Sequence, residues 1–324
     1  MVLLLSDEDV RSSMDMAGAM AAVRESFELL GKGRVQMPLR VSVAYPNTAG
    51  VVRLMGASID GMGALGSKLL LGQASKRAPG LTYFVVSLFD PADGHLLAIM
   101  GANRLTQLRT GAASAVAAGY LCRKDAETVG LFGAGVQAMG QLEGLASVLE
   151  IKKVRVFSRD RGRRDDFCRS GGRLLGIDVQ GVEQADSAVR GCDAVVTSTT
   201  SSEPLFSGDA VEPGTHISAV GSNNPARREL DVATIRRAKV VVDHMQQALD
   251  ESGDFAIPMK QGLIRREDIH AELSELVLGT KDGRVDDSEV TLFKSVGIAS
   301  EDVAVGRAVY DRAVKLGLGR EVTV

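Results

Sequence analysis

The apolar residues of the 324-residue chain follow one pattern before about residue 104 and a different one after it. From residue 128 onward, short apolar runs typical of buried strands alternate with segments of helical periodicity. The strand-like runs cover residues 128–132, 154–157, 194–197, 216–220 and 239–242. Such alternation is typical of a parallel sheet with helices on both faces. The later part of the chain is therefore predicted to be a doubly wound α/β domain.

The earlier part contains several strand-like runs that no helix separates. Residues 39–45 alternate apolar and polar side chains, which predicts a strand with one buried face. Further runs cover residues 51–55, 67–71, 81–89 and 95–100. Consecutive strands of this kind predict an antiparallel sheet.

Helical patterns flank these strands. Met16, Val23 and Phe27 lie on one face of an amphipathic helix, an alanine-rich helix covers residues 104–121, and a last helix covers 301–316. We therefore predict an α/β protein in two domains. A doubly wound domain of residues 118–297 is inserted in an α+β domain made of residues 1–117 and 298–324.

The composition argues against several classes of protein. A net charge of −3 and a pI near 5.9 give no electrostatic reason to expect nucleic acid or an anionic membrane as a partner. The three cysteines have no short paired spacing and the four histidines are dispersed, so neither a disulfide framework nor a metal site is predicted. The first residues lack the basic segment and the apolar length of a signal peptide. We therefore expect a cytoplasmic protein.

A glycine-rich segment joins the first strand of the alternating part to its helix. Residues 133–138 read Gly-Ala-Gly-Val-Gln-Ala, which matches the pattern G-x-G-x-x-G/A between a strand and a helix. Gly133 permits a tight turn, Gly135 lets a diphosphate approach the backbone, and Ala138 allows the helix to pack closely. Free N–H groups at the helix start favour phosphate. The segment predicts a dinucleotide-binding Rossmann domain; a tight turn without a ligand is the alternative.

The end of the second strand indicates which dinucleotide is bound. NAD enzymes usually place Asp or Glu there to bind the ribose 2′-hydroxyl, whereas arginine suits the 2′-phosphate of NADP. Ser158 and Arg159 hold this position, and Asp160 follows them. The arginines within residues 161–164 fit a solvated helix face. The pattern favours NADP(H), and Asp160 leaves NAD(H) possible.

Five segments together resemble the ornithine cyclodeaminase/mu-crystallin family. They are Arg104-Leu-Thr-Gln-Leu-Arg-Thr-Gly-Ala-Ala113, Gly133-Ala-Gly-Val-Gln137, Ile217-Ser-Ala-Val-Gly-Ser222, Arg228-Glu-Leu-Asp231 and Leu292-Phe-Lys-Ser-Val-Gly297. The resemblance extends over nearly the whole chain. It implies a Rossmann domain and a dimerisation domain whose sheets pair across a homodimer. Because the family contains cyclodeaminases, ketimine and cyclic-imine reductases and amino-acid dehydrogenases, the resemblance does not fix the activity.

The resemblance also implies a set of site residues. Arg40 and Lys68 match the pair that binds the substrate carboxylate, and Arg109 matches a second carboxylate or phosphate arginine where substrate and cofactor meet. Val296 falls beside the substrate, and Met55 is a further candidate for the pocket lining or, equally, for the core. The positions that contact the dinucleotide in the family are occupied by Thr82, Val136, Gln137, Ser158, Thr199, Ala219, Val220, Arg227 and Ser295.

The chemistry of the cationic residues agrees with these roles. Arginine binds a carboxylate through two parallel hydrogen bonds and keeps its charge. Lys68 lies in the run Ser67-Lys-Leu-Leu-Leu71, where apolar neighbours would lower its pKa towards the acid–base range. Exposed side chains on a strand are the alternative interpretation for both Arg40 and Lys68.

Asn223 departs from the family's cyclodeaminases, which carry an aspartate at this position to handle protons on the amine. An amide cannot transfer a proton at neutral pH, although it can hydrogen-bond an amine or imine nitrogen; a simple turn before Pro225 is the alternative role. The sequence therefore predicts an NAD(P)H-dependent reductase of small α-imino acids, reversible as an amino-acid dehydrogenase. An ammonia-releasing amino-acid cyclodeaminase and a non-catalytic dinucleotide-dependent binding protein are the alternatives.

Overall fold

The computed structural model describes residues 1–45, 50–74 and 79–323, without the side chains of residues 72–82. The chain forms two compact units. The first comprises Met1–Arg109 and Ile298–Val324, and the second comprises Thr110–Gly297. None of the described helices has both the length and the apolar character needed to cross a membrane.

Strands and helices occur along the whole of the described chain. The strands are β1 (Val2–Leu5), β2 (Val35–Gln36), β3 (Val41–Ala44), β4 (Val51–Ile59), β5 (Ala64–Ala74), β6 (Pro79–Phe89), β7 (Leu96–Gly101), β8 (Thr128–Phe132), β9 (Lys153–Phe157), β10 (Asp178–Gly181), β11 (Ala194–Thr197), β12 (His216–Ala219), β13 (Ala238–Val242), β14 (Ile269–Glu272), β15 (Val290–Lys294) and β16 (Arg320–Val322). The α-helices are α1 (Asp7–Ser13), α2 (Met16–Gly31), α3 (Asn103–Leu121), α4 (Val136–Ala146), α5 (Arg161–Leu175), α6 (Val232–Arg237), α7 (Met245–Glu251), α8 (Gly253–Lys260), α9 (Leu273–Leu278) and α10 (Ala299–Leu316).

The first unit is an α+β structure built on one sheet. Its strand order is β16-β1-β7-β6-β5-β4-β2, with β3 also paired to β4. Strands β4 to β7 are antiparallel, as the sequence predicts. β1 runs parallel to β7, a pairing that the sequence did not predict. Helix α10 packs on β4, β5 and β6 and against α2, so that one face of this sheet is covered.

The opposite face of β3, β4, β5 and β6 carries exposed apolar side chains. We call it the apolar face, and its exposed members are Val41, Val43, Leu54, Leu71 and Tyr83. The strand register aligns Val43, Val52, Leu71 and Tyr83 in one row across the sheet. Val41 and Val43 are each 57% exposed, so the prediction that residues 39–45 bury one face is wrong for the single chain. The covering helix lies on the other side of the sheet.

The second unit is a doubly wound parallel sheet, which confirms the predicted fold class. Its strand order is β10-β9-β8-β11-β12-β15-β13-β14, and every pair is parallel. The order reverses between β8 and β11, which is the position where Rossmann folds bind their ligands. Two separate clusters of buried residues form the core. Leu131 and Val196 belong to one cluster, whereas their chain neighbours Phe132 and Val195 belong to the other, as expected for a sheet covered on both faces.

Candidate active site

Lys68 lies on β5, on the face of the sheet that α10 covers. Its register partners, Met55 on β4 and Val86 on β6, are buried, and Lys68 is only 1% exposed. Its Nζ atom lies 5.1 Å from the centroid of the Phe84 ring. Because long charged side chains are almost never fully buried without a partner, the alternative of an exposed strand lysine is wrong.

Two acidic residues in the first turn of α10 pair with two basic residues of the predicted site. Lys68 Nζ donates a hydrogen bond to Asp302 Oδ1 at 2.7 Å. Arg109 Nη1 donates to Glu301 Oε2 at 2.8 Å, and Arg109 Nε lies 2.9 Å from Asp302 Oδ1. Both acidic side chains are fully buried. The arrangement brings Lys68 and Arg109 together, and the buried charges are paired as a low-dielectric environment requires.

The pKa of Lys68 is lowered to about 8 by this environment. Burial is the main cause, because it disfavours the ammonium form. The positive charges of Arg109 and Arg40 lower the pKa further, whereas the charge and hydrogen bond of Asp302 oppose this shift. A lysine with a pKa near 8 exchanges a proton readily close to neutral pH, which is the property required of an acid–base group.

Arg40 supplies the third positive charge of this group. It lies just before β3 and is half-buried, and its guanidinium is close enough to lower the pKa of Lys68. Arg40, Lys68 and Arg109 contribute three formal positive charges, and Glu301 and Asp302 contribute two negative charges. The five residues therefore carry one net positive charge when Lys68 is protonated, which matches a single ligand carboxylate.

The sequence interpretation missed Glu301 and Asp302, although a signal was present. In α10, Asp302 lies three residues before Val305 and seven before Val309, so all three share a helical face. Both valines are fully buried. An acidic residue in register with the apolar stripe of a helix predicts a buried carboxylate, and a buried carboxylate requires a cationic partner.

The residues expected to contact a dinucleotide follow neighbouring strands of the parallel sheet. The glycine-rich segment follows β8, Ser158 follows β9, Thr199 follows β11, Val220 follows β12 and Ser295 follows β15. Because all these strands are parallel and adjacent, their carboxyl ends meet at one edge of the sheet. The structure therefore places these residues along the edge where ligands bind in doubly wound folds.

The two glycines of the loop are required for different reasons. Gly133 has a φ of +106°, and a Cβ atom there would lie 2.4 Å from the carbonyl oxygen of Ser198. The protein's own backbone therefore demands glycine at this position. Gly135 has a φ of −101°, and a Cβ atom there would meet nothing described within 4 Å. Space kept open at the N-terminus of α4 fits the close approach of a diphosphate.

Other members of this set differ in how far their side chains can reach a ligand. Val136 is 66% exposed at the start of α4, and Gln137 is half-buried beside it. Ala219 is fully buried in the core, and its carbonyl accepts from the backbone N–H of Ser295. Arg227 is exposed. Thr82 lies in β6, and its side chain is outside the described part of the structure.

The carboxylate of Glu229 connects the carboxyl end of β11 with the segment that follows β12. Its carboxylate accepts from Thr197 Oγ1 at 2.8 Å, from the Thr199 backbone N–H at 2.6 Å and from the Gly221 backbone N–H at 2.8 Å. Asp254 in turn accepts from the backbone N–H of Glu229 at 2.7 Å. Burial raises the pKa of Glu229. The sequence interpretation had no role for this residue beyond its place in a family motif.

Asp243 holds the segment after β15 in a similar way. Its Oδ2 atom accepts from Ser295 Oγ at 2.9 Å and from the backbone N–H groups of Val296 and Gly297 at 2.7 Å each. The hydroxyl of Ser295 is thus committed to Asp243, and Val296 is 5% exposed. These bonds hold the hydroxyl of Ser295, which was expected to contact the cofactor, and the backbone of Val296, which was expected beside the substrate.

The carboxyl end of β9 lacks, among the described residues, an acidic side chain that is free for a ribose. Asp160 caps α5 by accepting from the Arg163 backbone N–H at 3.0 Å, and it also pairs with the Arg163 side chain. Arg161 and Arg164 pair with Glu183. Arg159 is exposed, and no ion pair is found for it within the described chain. The carboxyl end of β9 therefore presents to a ribose the side chain of Ser158 and one cation, Arg159.

In the loop after β12 the turn is formed by Asn224, not by Asn223 as the alternative interpretation of the sequence suggested. Asn224 Oδ1 accepts from the Ala226 backbone N–H at 2.9 Å, and the Asn224 carbonyl accepts from the Arg227 N–H. Asn223 is half-buried, and its side chain makes no hydrogen bond to the described residues. Its amide thus remains available to a ligand.

One group of residues with metal-ligand chemistry occurs in the described part of the chain. Asp90, Asp93 and His95 bring their ligand atoms within 4.8 Å of one another. They lie in the turn between β6 and β7, where Asp90 accepts from the Ala92 N–H and Asp93 accepts from the His95 N–H. These bonds account for the group as a turn, and Asp93 and His95 are exposed.

The fold and these residues define a protein whose second unit is a Rossmann-type domain and whose first unit carries a buried lysine–arginine cluster. The chain matches the model of the ornithine cyclodeaminase/mu-crystallin family over residues 1–317 and belongs to this family. This confirms the resemblance seen in the sequence. An alanine dehydrogenase of Archaeoglobus fulgidus is 38% identical over 324 residues, which cover 99% of this chain and 98% of that protein.

Solved structures agree with this assignment. The Δ(1)-pyrroline-2-carboxylate reductase of Thermococcus litoralis, in complex with NADH and L-proline, superposes with a TM-score of 0.96 at 38% identity, covering 99% of this chain and 100% of that one. An archaeal alanine dehydrogenase dimer with bound NAD has a TM-score of 0.93 at 38% identity and covers 99% of both chains.

Proposed function

We propose that the protein is an NAD(P)H-dependent reductase of small α-imino acids that also runs in reverse as an amino-acid dehydrogenase. The observation that carries this proposal is the buried Lys68, which has a pKa of about 8 and lies in a cluster with one net positive charge. Such a site can bind one carboxylate and still exchange a proton with a nitrogen atom. The relatives named for pyrroline-2-carboxylate reduction and alanine dehydrogenation support the same chemistry.

The residues divide the reaction between them. A bound nicotinamide dinucleotide supplies the hydride for the imine carbon. Arg40 and Arg109 bind the substrate carboxylate and so fix the position of the adjacent carbon. Lys68 gives a proton to the imine nitrogen as the carbon is reduced, and it regains a proton from solvent afterwards. An amide such as that of Asn223 can hydrogen-bond an amine or imine nitrogen but cannot exchange a proton with it. In the reverse direction Lys68 accepts the proton from the amine.

A spectrophotometric screen tests this function. The purified protein is incubated with NADPH or NADH and with pyrroline-2-carboxylate, piperideine-2-carboxylate, iminosuccinate, or pyruvate together with ammonia or methylamine. Consumption of the reduced dinucleotide with one of these classes is the expected result. Ammonia release from ornithine or lysine, with only catalytic amounts of oxidised dinucleotide, would instead establish a cyclodeaminase despite Asn223.

The preferred dinucleotide is NADP(H). Ser158 and Arg159 occupy the end of β9, and the nearby Asp160 is committed to capping α5. We therefore expect Arg159→Ala to lower kcat/KM with NADPH by about 10- to 100-fold, because a charge-assisted hydrogen bond to the 2′-phosphate is lost. The value with NADH should stay within about twofold, since its ribose carries no phosphate. A wild-type protein that uses NADH better than NADPH would contradict this preference.

The protein forms a homodimer through the apolar face. Exposed apolar patches of this kind on a sheet are typical of interaction sites, and the relative solved as a dimer supports the proposal. We expect Val43→Glu to convert the dimer to a monomer of 34.2 kDa in light scattering, because a buried carboxylate would be unpaired. Val285→Glu is the matched control, since Val285 is an exposed valine of the second unit. Equal masses for both variants and the wild type would exclude the apolar face as the interface.

A further inference from the structure

Asp302 has an unusual arrangement of partners for a fully buried carboxylate. Its Oδ1 atom accepts the hydrogen bond from Lys68 Nζ at 2.7 Å and lies 2.9 Å from Arg109 Nε. Its Oδ2 atom is buried as well and has no hydrogen-bond partner among the described residues. A carboxylate that served only to stabilise the fold would be expected to satisfy both oxygens. The contacts of Asp302 are directed instead at the two cations of the site.

Without Asp302 the site would place like charges close together in a buried environment. Lys68 Nζ and Arg109 Nε both approach the same oxygen atom, so their mutual repulsion is offset by one shared anion. Glu301 differs, because its carboxylate pairs with the Nη1 atom at the far end of the Arg109 guanidinium. The charged groups around Lys68 are therefore Arg40 before β3, Arg109 on α3, and Glu301 and Asp302 on α10.

We propose that Asp302 is a positioning residue that holds Lys68 and Arg109 side by side and keeps Lys68 protonated for transfer to the substrate nitrogen. This inference rests on the proposed reductase function. Asp302 donates no proton itself. Its charge stabilises the ammonium form of Lys68 between turnovers, and the proton that Lys68 gives to nitrogen is replaced from solvent.

The pH profile of imine reduction distinguishes this role from a merely structural one. Reduction requires protonated Lys68, so kcat/KM should fall as the pH rises through the pKa of Lys68, near 8 in the wild type. Asp302 opposes the lowering of that pKa, so the pKa of Lys68 should be lower in Asp302→Asn. The pH at which kcat/KM falls should therefore be about 1 to 3 units lower in this variant than in the wild type. Asp302→Glu keeps the charge and should restore much of the profile. Glu301→Gln should raise KM, because Glu301 pairs with the carboxylate-binding Arg109. The pH at which kcat/KM falls should stay closer to that of the wild type.

A double-mutant cycle tests the pairing without any turnover. The urea stabilities of the wild type, Lys68→Met, Asp302→Asn and the double variant are compared at about pH 6 and about pH 10, on either side of the pKa. We expect a coupling between the two residues at the lower pH that becomes much smaller at the higher pH, where Lys68 is neutral. A coupling that does not change with pH, or an unshifted profile in Asp302→Asn, overturns the inference. An absence of imine reduction in the wild type overturns the reductase function, and the cycle still tests Asp302.

Discussion

Lys68→Met is expected to lower kcat for imine reduction by roughly 10²- to 10⁴-fold, the usual contribution of a positioned acid–base group. Methionine preserves most of the volume and the apolar contacts of the lysine stem, so the surrounding β4, β5 and β6 need not repack. The dinucleotide should still bind with a similar Kd, because Lys68 belongs to the first unit and the predicted dinucleotide residues after β8, β9, β11, β12 and β15 belong to the second. Stopped-flow reduction and fluorescence titration with NADPH measure the two quantities separately.

The same variant has a second signature in its stability. The pKa of Lys68 falls from its ordinary value of 10.5 to about 8 in the folded protein. Between these values the unfolded chain binds more protons than the folded one, so the wild type gains stability as the pH rises across this window. The full gain in the free energy of unfolding across this window is about 3 kcal/mol. Lys68→Met should lack this pH-dependent gain. A near-normal kcat, or identical pH dependence of unfolding in both proteins, would contradict the assignment of Lys68.

Part of this site could be predicted from the sequence because its signals are local. The glycine-rich loop lies between an apolar strand and a helix, and Lys68 directly precedes three leucines in a strand-like run. Each of these patterns is contained within about ten residues and follows from strand and helix periodicity. The fold class and the family follow from the same information.

The residues that sequence reasoning missed depend on contacts between distant segments. Asp302 is 234 positions from Lys68, and Glu229 connects the end of β11 at Thr197 with Gly221 in the segment after β12. Nothing in a local pattern states which cation a buried acid will meet. The edge strands β10 and β14 were missed for another reason. Each is only 4 residues long and contains polar residues such as Asp178 and Glu272, so its pattern is too short to distinguish a strand from a loop.

The apolar face shows how a correct pattern can lead to a wrong conclusion about burial. Residues 39–45 do alternate, and β3 forms within them. Alternation indicates that one side of a strand avoids water, but it does not say whether the cover comes from the same chain or from another copy. The homodimer that we propose would cover the exposed valines of β3, which the single chain leaves open.

Gly133→Ala and Gly135→Ala are expected to separate the requirements of the fold from those of the ligand. A Cβ atom at Gly133 would lie 2.4 Å from the Ser198 carbonyl oxygen, in a conformation with a positive φ that alanine rarely adopts. We expect a loss of stability on the order of 3 kcal/mol or more, from backbone strain and overpacking together. Urea denaturation measures this loss in the absence of any dinucleotide.

At Gly135 a Cβ atom meets nothing described within 4 Å, and the φ of −101° is ordinary for alanine. The stability of Gly135→Ala should therefore stay within about 1 kcal/mol of the wild type, the cost of a poorer helix N-cap. Its Kd for NADPH should rise by about 10- to 100-fold, because the methyl group occupies the space through which the diphosphate approaches α4. If Gly135→Ala binds the dinucleotide as well as the wild type, the open space at this helix start has another explanation and the loop is not the diphosphate site. If both variants lose stability equally, the distinction between the two glycines fails.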